Sequence, residues 1–403
     1  MIRPMEGIRV LEVAEWFFVP GAGTVLADWG ADVIKIEHPV RGDPLRGLIS
    51  SGIIPGAHGL NFFVENGSRN KRSLGLDLAT EPGRGIFNEL VKQADVVLTS
   101  FLPAARRRLR IDYPDVKQIN PRIIYAKGSG QGPKGPENER GGFDAGSFWS
   151  RGSVAHMLTE PGKPPIMQRA AFGDTIGATF IAGGIAAALF NRERTGQGCE
   201  LDVSLLGTAV WLMAPDILAS ILLGHELPHA DRTRAPNPLM NTYKCKDDTW
   251  LMLMMLTPQK HWDEFCKAIE REDMLESYPL IRWIDENVRF ELAKVLGDHF
   301  VTRTRQEWME RLLRYDTIHA PVQTPKEIPN DPQVIANKYL VDYVHPTHGA
   351  FKVAASPVQF DGEPADVRRV APDAGQDTEE ILLDLLGMSW EEIGEMKEKG
   401  IVS

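Results

Sequence analysis

Four short apolar runs, separated by helical patterns, dominate the first 130 residues of this 403-residue chain. Residues 8-IRVLEV-13, 32-DVIKIE-37, 95-DVVLTS-100 and 122-RIIYAKGSG-130 read as buried strands. Between them, 21-GAGTVLADWG-30 reads as a loop and short helix, and 83-GRGIFNELVKQA-94 as an amphipathic helix. Alternation of this kind predicts an α/β fold built on a parallel, doubly wound sheet. Such sheets hold ligands at the carboxyl ends of their strands, so residues 14–20, 38–46, 100–108 and 127–135 are expected to converge.

Further along, 199-CELDVSLLGTAVWLM-213 predicts a strand running into a helix. A Pro-rich loop and a hairpin-like pair around 246-KDDT-249 follow, then helical patterns in 259-QKHWDEFCKAI-269 and 305-RQEWMERLLRY-315. Residues 222–325 are therefore read as a second, smaller α+β domain inserted after a large domain over 1–221. Short strands resume at Pro329, and 377-DTEEILLDLLGMSWEEIGEMKEKG-400 is helical.

The net charge of −10 argues against general nucleic-acid binding. The charge is uneven: residues 1–150 carry 19 Lys+Arg against 17 Asp+Glu, and the remainder holds a net −12. Basic residues cluster at 69-RNKR-72 and 106-RRRLR-110, with Lys127 and Lys134 beyond; they are either solvated faces or a surface for a ligand of several phosphates. Cys199, Cys245 and Cys266 are far apart and imply neither a disulfide framework nor a zinc site. The opening residues have no basic region leading into a long apolar stretch, and the run Ile176 to Phe190 is shorter than the roughly 20 residues a bilayer span needs. A cytoplasmic protein without membrane partners is expected.

One ionisable group stands out. In 173-GDTIGATFIAGGIAAALF-190, Asp174 is the last charge before fifteen small and apolar residues. It is either a helix N-cap or a reactive carboxylate; Gly177, three residues on, completes no capping box. Other chemistries lack support. Gly21-x-Gly23 follows a strand, but Leu26 occupies the third glycine position of a dinucleotide fingerprint. His225-x-x-x-His229 contains Pro228, and His345 and His348 flank Pro346, so no metal site is expected. No G-x-S-x-G elbow occurs.

Taken in order, 30-GADVIKIE-37, 70-NKRSLGLDL-78, 101-FLPAARRRL-109, 173-GDTIGATFIAGGIAAALFNRERTGQG-198, 331-DPQ-333 and 372-PDAGQDTEEILLDLLG-387 resemble the class III coenzyme A transferases. That group includes formyl-CoA and carnitine CoA transferases and the related 2-methylacyl-CoA racemases. The resemblance implies a Rossmann-like large domain made from both chain ends, with residues 326–403 returning to it, and an interlocked homodimer. It implies an acyl-CoA:carboxylate CoA transferase with Asp174 as nucleophile, acyl-CoA and a carboxylic acid as substrates, and no tightly bound cofactor. By position, CoA contacts fall on Trp16 and Phe17, on His38 with Arg41 close by, on Leu76, Asp77, Leu78 and Ala79, on Ser100 and Phe101, and on Arg108, Lys127 and Gly128. His38, Ser100 and Arg110 depart from the usual arginine, asparagine and glycine. Asp144 is either a supporting acid or a simple loop contact. Phe143 replaces the histidine that serves the racemases as a base, which favours transfer over an isomerase or a non-catalytic partner subunit. The aromatics Trp16, Phe17, Phe143, Phe148 and Trp149 would suit a bulky or apolar acyl group.

Overall fold

Strand β1 (Arg9–Val13) sits near the middle of a six-stranded sheet, and all of its core-facing residues are apolar except Glu12. The computed structural model describes residues 2–56, 59–229 and 231–403. Beside β1 lie β2 (Asp32–Glu37) and then β3 (Arg72–Gly75) on one side, with β4 (Val96–Thr99), β5 (Ile124–Ser129) and β6 (Cys199–Ser204) on the other. Every pairing in this sheet is parallel. The connections are made by α1 (Phe18–Asp28), α2 (Phe62–Ser68), α3 (Glu81–Lys92), α4 (Pro103–Leu109), α5 (Tyr113–Ile119) and, beyond the short α6 (Val154–Leu158), by α7 (Phe172–Thr195). Chain direction along the sheet reverses between β1 and β4, which opens a crevice at their carboxyl ends.

The predicted strands and the alternation are present, with two differences. Helix α1 starts at Phe18, so Gly21 and Gly23 lie inside it and no glycine-rich loop exists there. Strand β3 was hidden by its basic flank: 69-RNKR-72 is not a surface for anions but a set of internal ion pairs. Arg69 bonds Asp28, Lys71 bonds Glu12 and Arg72 bonds Asp32, with Lys71 wholly buried.

Helix α7 packs along α1, and nine of its 24 residues are buried, among them Gly177, Ile181 and Ile185. Among the described residues it is the one helix long and apolar enough to cross a bilayer, yet Arg192 near its end is buried and paired with Asp95 at 2.8 Å. The chain then continues through α8 (Leu205–Leu212) and α9 (Ala214–Leu223).

By compactness the chain divides into Met1–His156, Ile166–Leu227 and Ile335–Ser403 as one unit, and Met157–Pro165 with Pro228–Val334 as another. The second unit has an antiparallel sheet of β7 (Met240–Lys244), β8 (Trp250–Met254) and β9 (His319–Val322). Its core gathers Trp262 of α10 (Pro258–Ala268), Met274 of α11 (Met274–Ser277), Phe300 of α12 (Glu286–Phe300) and Trp308 of α13 (Arg305–Leu312). After α14 (Pro332–Ala336) comes the hairpin β10 (Leu340–His345) and β11 (Gly349–Ala354), whose Tyr343 hydroxyl donates to Glu65 of α2. Helices α15 (Thr378–Leu386) and α16 (Trp390–Glu398) close the main core through Ile381, Leu382 and Ile393.

The approach of α7 to α1 requires Gly177, where a methyl group would overlap the Phe18 ring. Gly177→Ala should lower stability by about 1–3 kcal/mol through overpacking. Gly85→Ala, in the exposed interior of α3 with open space around it, should raise stability by roughly 0.5–1 kcal/mol. Urea unfolding of the two variants checks both signs.

Candidate active site

At the crevice between β1 and β4 lies a cavity of about 670 Å³. Its walls come from the four segments that the strand pattern brings together. The loop after β1 supplies Trp16, and the loop after β2 supplies His38 and Arg41. Ser100, Phe101 and Arg108 follow β4, and Gly128 lies in β5. Leu76, Asp77, Leu78 and Ala79, after β3, complete the side away from α7, and Asp174 closes the cavity from the first turn of that helix. The loops after β1 and β4 are stitched together, because Ser100 Oγ accepts the Glu15 N–H at 3.0 Å.

Three of the residues singled out from the sequence lie elsewhere. Phe17 packs edge-on against Phe63 behind the cavity. Lys127 points to the edge strand β6, with its ammonium 2.5 Å from Glu200 and 3.3 Å from Asp202. Asp144 is buried at the head of a π-helical turn, Ala145–Ser150, behind the cavity wall. Of the five aromatics, only Trp16 and Phe143 line the cavity, with ring centroids 5.3 Å apart and planes nearly perpendicular. Phe148 and Trp149 are buried, and the Trp149 indole donates to the Ile166 carbonyl.

Asp174 is not an N-cap. The helix starts two residues earlier, behind Ala171 in a left-handed conformation, which makes Asp174 the third helical residue. A methyl group on Gly173 would overlap the Phe148 ring, so the turn bearing Asp174 is packed tightly from behind. Burial pushes the Asp174 carboxyl up to about 8, and the nearby Asp144 charge adds to the shift. Among the described residues, no cation or hydrogen bond opposes it. Asp144 is itself raised, by burial first. Its Oδ1 accepts the Ala145 N–H at 2.8 Å, while Oδ2 is buried without an aligned donor, although the Gln168 amide and the Gly173 and Ala171 N–H groups draw its pKa back down.

The opposite end of the cavity offers cations. Arg41 and Arg108 are solvent-exposed at the rim. His38 Nδ1 accepts the N–H groups of Val40 and Arg41, which leaves the ring proton on Nε2 as a donor. The site thus joins cations suited to phosphates with one carboxyl and two aromatic rings, of which Trp16 is half-buried and Phe143 exposed. Sequence reasoning missed Asp43, which lines the cavity floor; a lone acid after a strand in a Gly-Asp-Pro turn reads as a turn residue, and only the fold brings it beneath Trp16.

The raised pKa of Asp174 has a consequence for stability. Its proton is kept in the folded chain to about pH 8 but lost near pH 4 when unfolded, so this contribution is full below pH 4 and falls away as pH rises through 8. Asp174→Asn should therefore be the more stable protein at pH 8.5, by on the order of 2 kcal/mol. The gap should close toward pH 4.5 in urea titrations.

A family model described as CoA-transferase family III matches residues 5–378. The (R)-2-hydroxy-4-methylpentanoate CoA-transferase of Clostridioides difficile is 32% identical over 99% of both chains. The cinnamoyl-CoA:phenyllactate CoA-transferase of Clostridium sporogenes is 32% identical over 98% of this chain and 97% of its own. Among solved structures, Rv3272 from Mycobacterium tuberculosis superposes with a TM-score of 0.78 at 25% identity, over 94% of this chain and 98% of its own. A CAIB/BAIF family protein from Brucella suis superposes with a TM-score of 0.82 at 24% identity, over 96% of this chain and all of its own. With the family model spanning nearly its whole length and curated CoA-transferases aligned end to end, the chain belongs to CoA-transferase family III.

Proposed function

We propose that this CoA-transferase moves CoA from an acyl-CoA thioester to a free carboxylic acid through covalent intermediates on Asp174. The observation that carries the reading is Asp174 itself: a carboxyl in the first turn of α7, facing a cavity whose far rim is cationic. The CoA moiety would lie along His38, Arg41 and Arg108, with Leu76, Leu78 and Phe101 against its apolar parts. Phe17 and Lys127 act at one remove, Phe17 by packing and Lys127 by tying β5 to β6.

In the first step the ionised Asp174 oxygen attacks the thioester carbonyl carbon. The C–S bond breaks, CoA leaves as thiolate, and a mixed anhydride joins the acyl group to Asp174. The thiolate then attacks the aspartyl carbonyl carbon, expels the donor acid as its carboxylate and leaves an aspartyl thioester. The acceptor carboxylate attacks that thioester, breaking its C–S bond, expelling CoA thiolate and forming a second anhydride. Thiolate returns to the acceptor's acyl carbon and frees Asp174. No proton is consumed in the cycle, and no intermediate is stable to water, so bound substrate must shield the reacting carbons from solvent. Burial also has a cost: the resting Asp174 must lose its proton before it can attack. In return, the high pKa makes the ionised oxygen more nucleophilic. Phe143, at the aromatic wall, takes no proton, which is why transfer is preferred over α-proton movement.

The acyl end of the cavity is lined by Trp16 and Phe143, with Gly130, Gly142 and Leu205. A branched or ring-bearing apolar acid fits this lining better than a small dicarboxylate. Two relatives are named for acids of that kind, one branched and one aromatic.

A second copy of the chain is the proposed partner. Helix α9 has no buried residue although most of it is apolar, and Trp211 of α8 is 71% exposed with Ile221 and Leu222 similarly bare. Phe180 of α7 extends the patch, its ring edge-on to Trp211 at 6.4 Å. A face of this size demands a cover.

Two experiments test these readings. Mixing the enzyme with a panel of acyl-CoAs and quenching with hydroxylamine should leave a hydroxamate on the peptide containing Asp174. The adduct should be absent in Asp174→Ala, and kcat/KM should rise with pH to a plateau with a midpoint near 8. An adduct on another residue, or transfer by Asp174→Ala near the parent rate, would sink the mechanism. For the partner, Trp211→Asp with Ile221→Asp should halve the mass found by light scattering; an unchanged mass refutes this face as the contact.

A further inference from the structure

Trp16 is one of nine described non-glycine residues with positive φ, at 67°, and it carries a bulky ring at the edge of the cavity. A left-handed conformation is strained for such a residue and persists only where the surroundings impose it. They do so through Asp43. Its Oδ1 accepts the Trp16 N–H at 3.0 Å and the Leu45 N–H at 2.9 Å, and its own N–H donates to Glu37 at 2.9 Å. Its Oδ2 receives the Lys35 ammonium at 2.8 Å, and that ammonium also bonds the Ala14 carbonyl at 3.0 Å. The two residues that precede Trp16 are thus fixed, Ala14 by Lys35 and Glu15 by Ser100. Asp43 and Lys35 are buried. The result of this bracing is one ring orientation, edge-on to Phe143 at 5.3 Å.

We propose that Asp43 is a positioning residue for acyl selectivity: by clamping the Trp16 N–H it holds the Trp16–Phe143 wall in the one arrangement that admits apolar, ring-bearing acyl groups ahead of small acidic ones. This rests on the CoA-transferase reading above. Asp43 touches no reacting atom; it acts through Trp16. A ring held at a fixed backbone position discriminates by shape because an ill-fitting acyl group must displace the segment that the Asp43 clamp holds. With the clamp loosened, Trp16 leaves its left-handed conformation and the wall loses its selectivity.

The test compares kcat/KM for cinnamoyl-CoA and succinyl-CoA as donors to one acceptor, in the parent, Asp43→Asn, Trp16→Gly and the double variant. Asp43→Asn keeps an oxygen for the two N–H groups but drops the charge that Lys35 pairs with. It should lower the cinnamoyl-to-succinyl ratio about tenfold. Trp16→Gly relieves the left-handed strain and removes the ring, so it should lower the ratio at least as far. In that background Asp43→Asn should change the ratio by less than about twofold, because the residue it positions is gone. A loss that is equal for both donors, or an effect of Asp43→Asn that persists without Trp16, overturns the proposal. If Asp43→Asn does not fold, Asp43→Glu takes its place, retaining the charge while displacing the acceptor by a methylene, with the same outcomes expected. If the parent transfers CoA from neither donor to any acceptor, the enzymatic reading fails; an unchanged ratio with transfer intact overturns only the role of Asp43.

Discussion

Glu12 is the charge around which the centre of the molecule is arranged. It lies in the central strand with its side chain fully buried, and two ammonium groups converge on it: Lys71 at 2.6 Å and Lys35 at 3.3 Å. A buried charge is tolerable only when paired and hydrogen-bonded, and here every member has further partners. Lys71 also donates to the carbonyls of Pro20 and Gly67, so it fastens α1 to α2, while Lys35 reaches Asp43 and Ala14. Burial opposes the charge of both lysines. At Lys35 it is outweighed by Asp43, Glu12 and Glu37, which hold the pKa above its ordinary value. At Lys71 burial wins, with Lys35 as a like charge alongside, and the pKa falls to about 8. Removing Glu12 would leave Lys71 without its carboxylate and Lys35 with Asp43 alone, at the root of two of the loops that shape the cavity.

That network also explains why some of the molecule was legible in its sequence and some was not. Period and apolarity marked β1, β2, β4 and β5, and the rule for open parallel sheets located the cavity from those strands alone. The pattern failed where charge turns inward. Arg69, Asn70, Lys71 and Arg72 look like a solvated basic face, yet their partners Asp28, Glu12 and Asp32 come from earlier strands and helices that only the fold brings near. Asp174 was visible as an isolated acid, but its depth, and so its protonation, depends on packing against Phe148 and Phe18 that no local spacing reveals. Lys127 illustrates the converse: its position along β5 was clear, whereas its direction is decided by Glu200 and Asp202 across the edge strand.

The two carboxyl groups at the head of α7 divide their surroundings unequally. Asp144 has the Ala145 N–H, and the polar groups of Gln168, Ala171 and Gly173 act on it, while among the described residues the only charge acting on Asp174 is that of Asp144. A helix N-terminus ordinarily favours an anion, and here that advantage goes mainly to Asp144. Asp174 is left as the group whose ionisation is costly.

Part of the inner surface of the cavity is bare backbone. Gly128, Gly130 and Gly142 lie where any side chain would collide, with Val19, with the opposing main chain and with Ser147 respectively. Mutation therefore has little purchase on these backbone walls, and variation in the cavity falls to the side chains around them, among them the rings at positions 16 and 143.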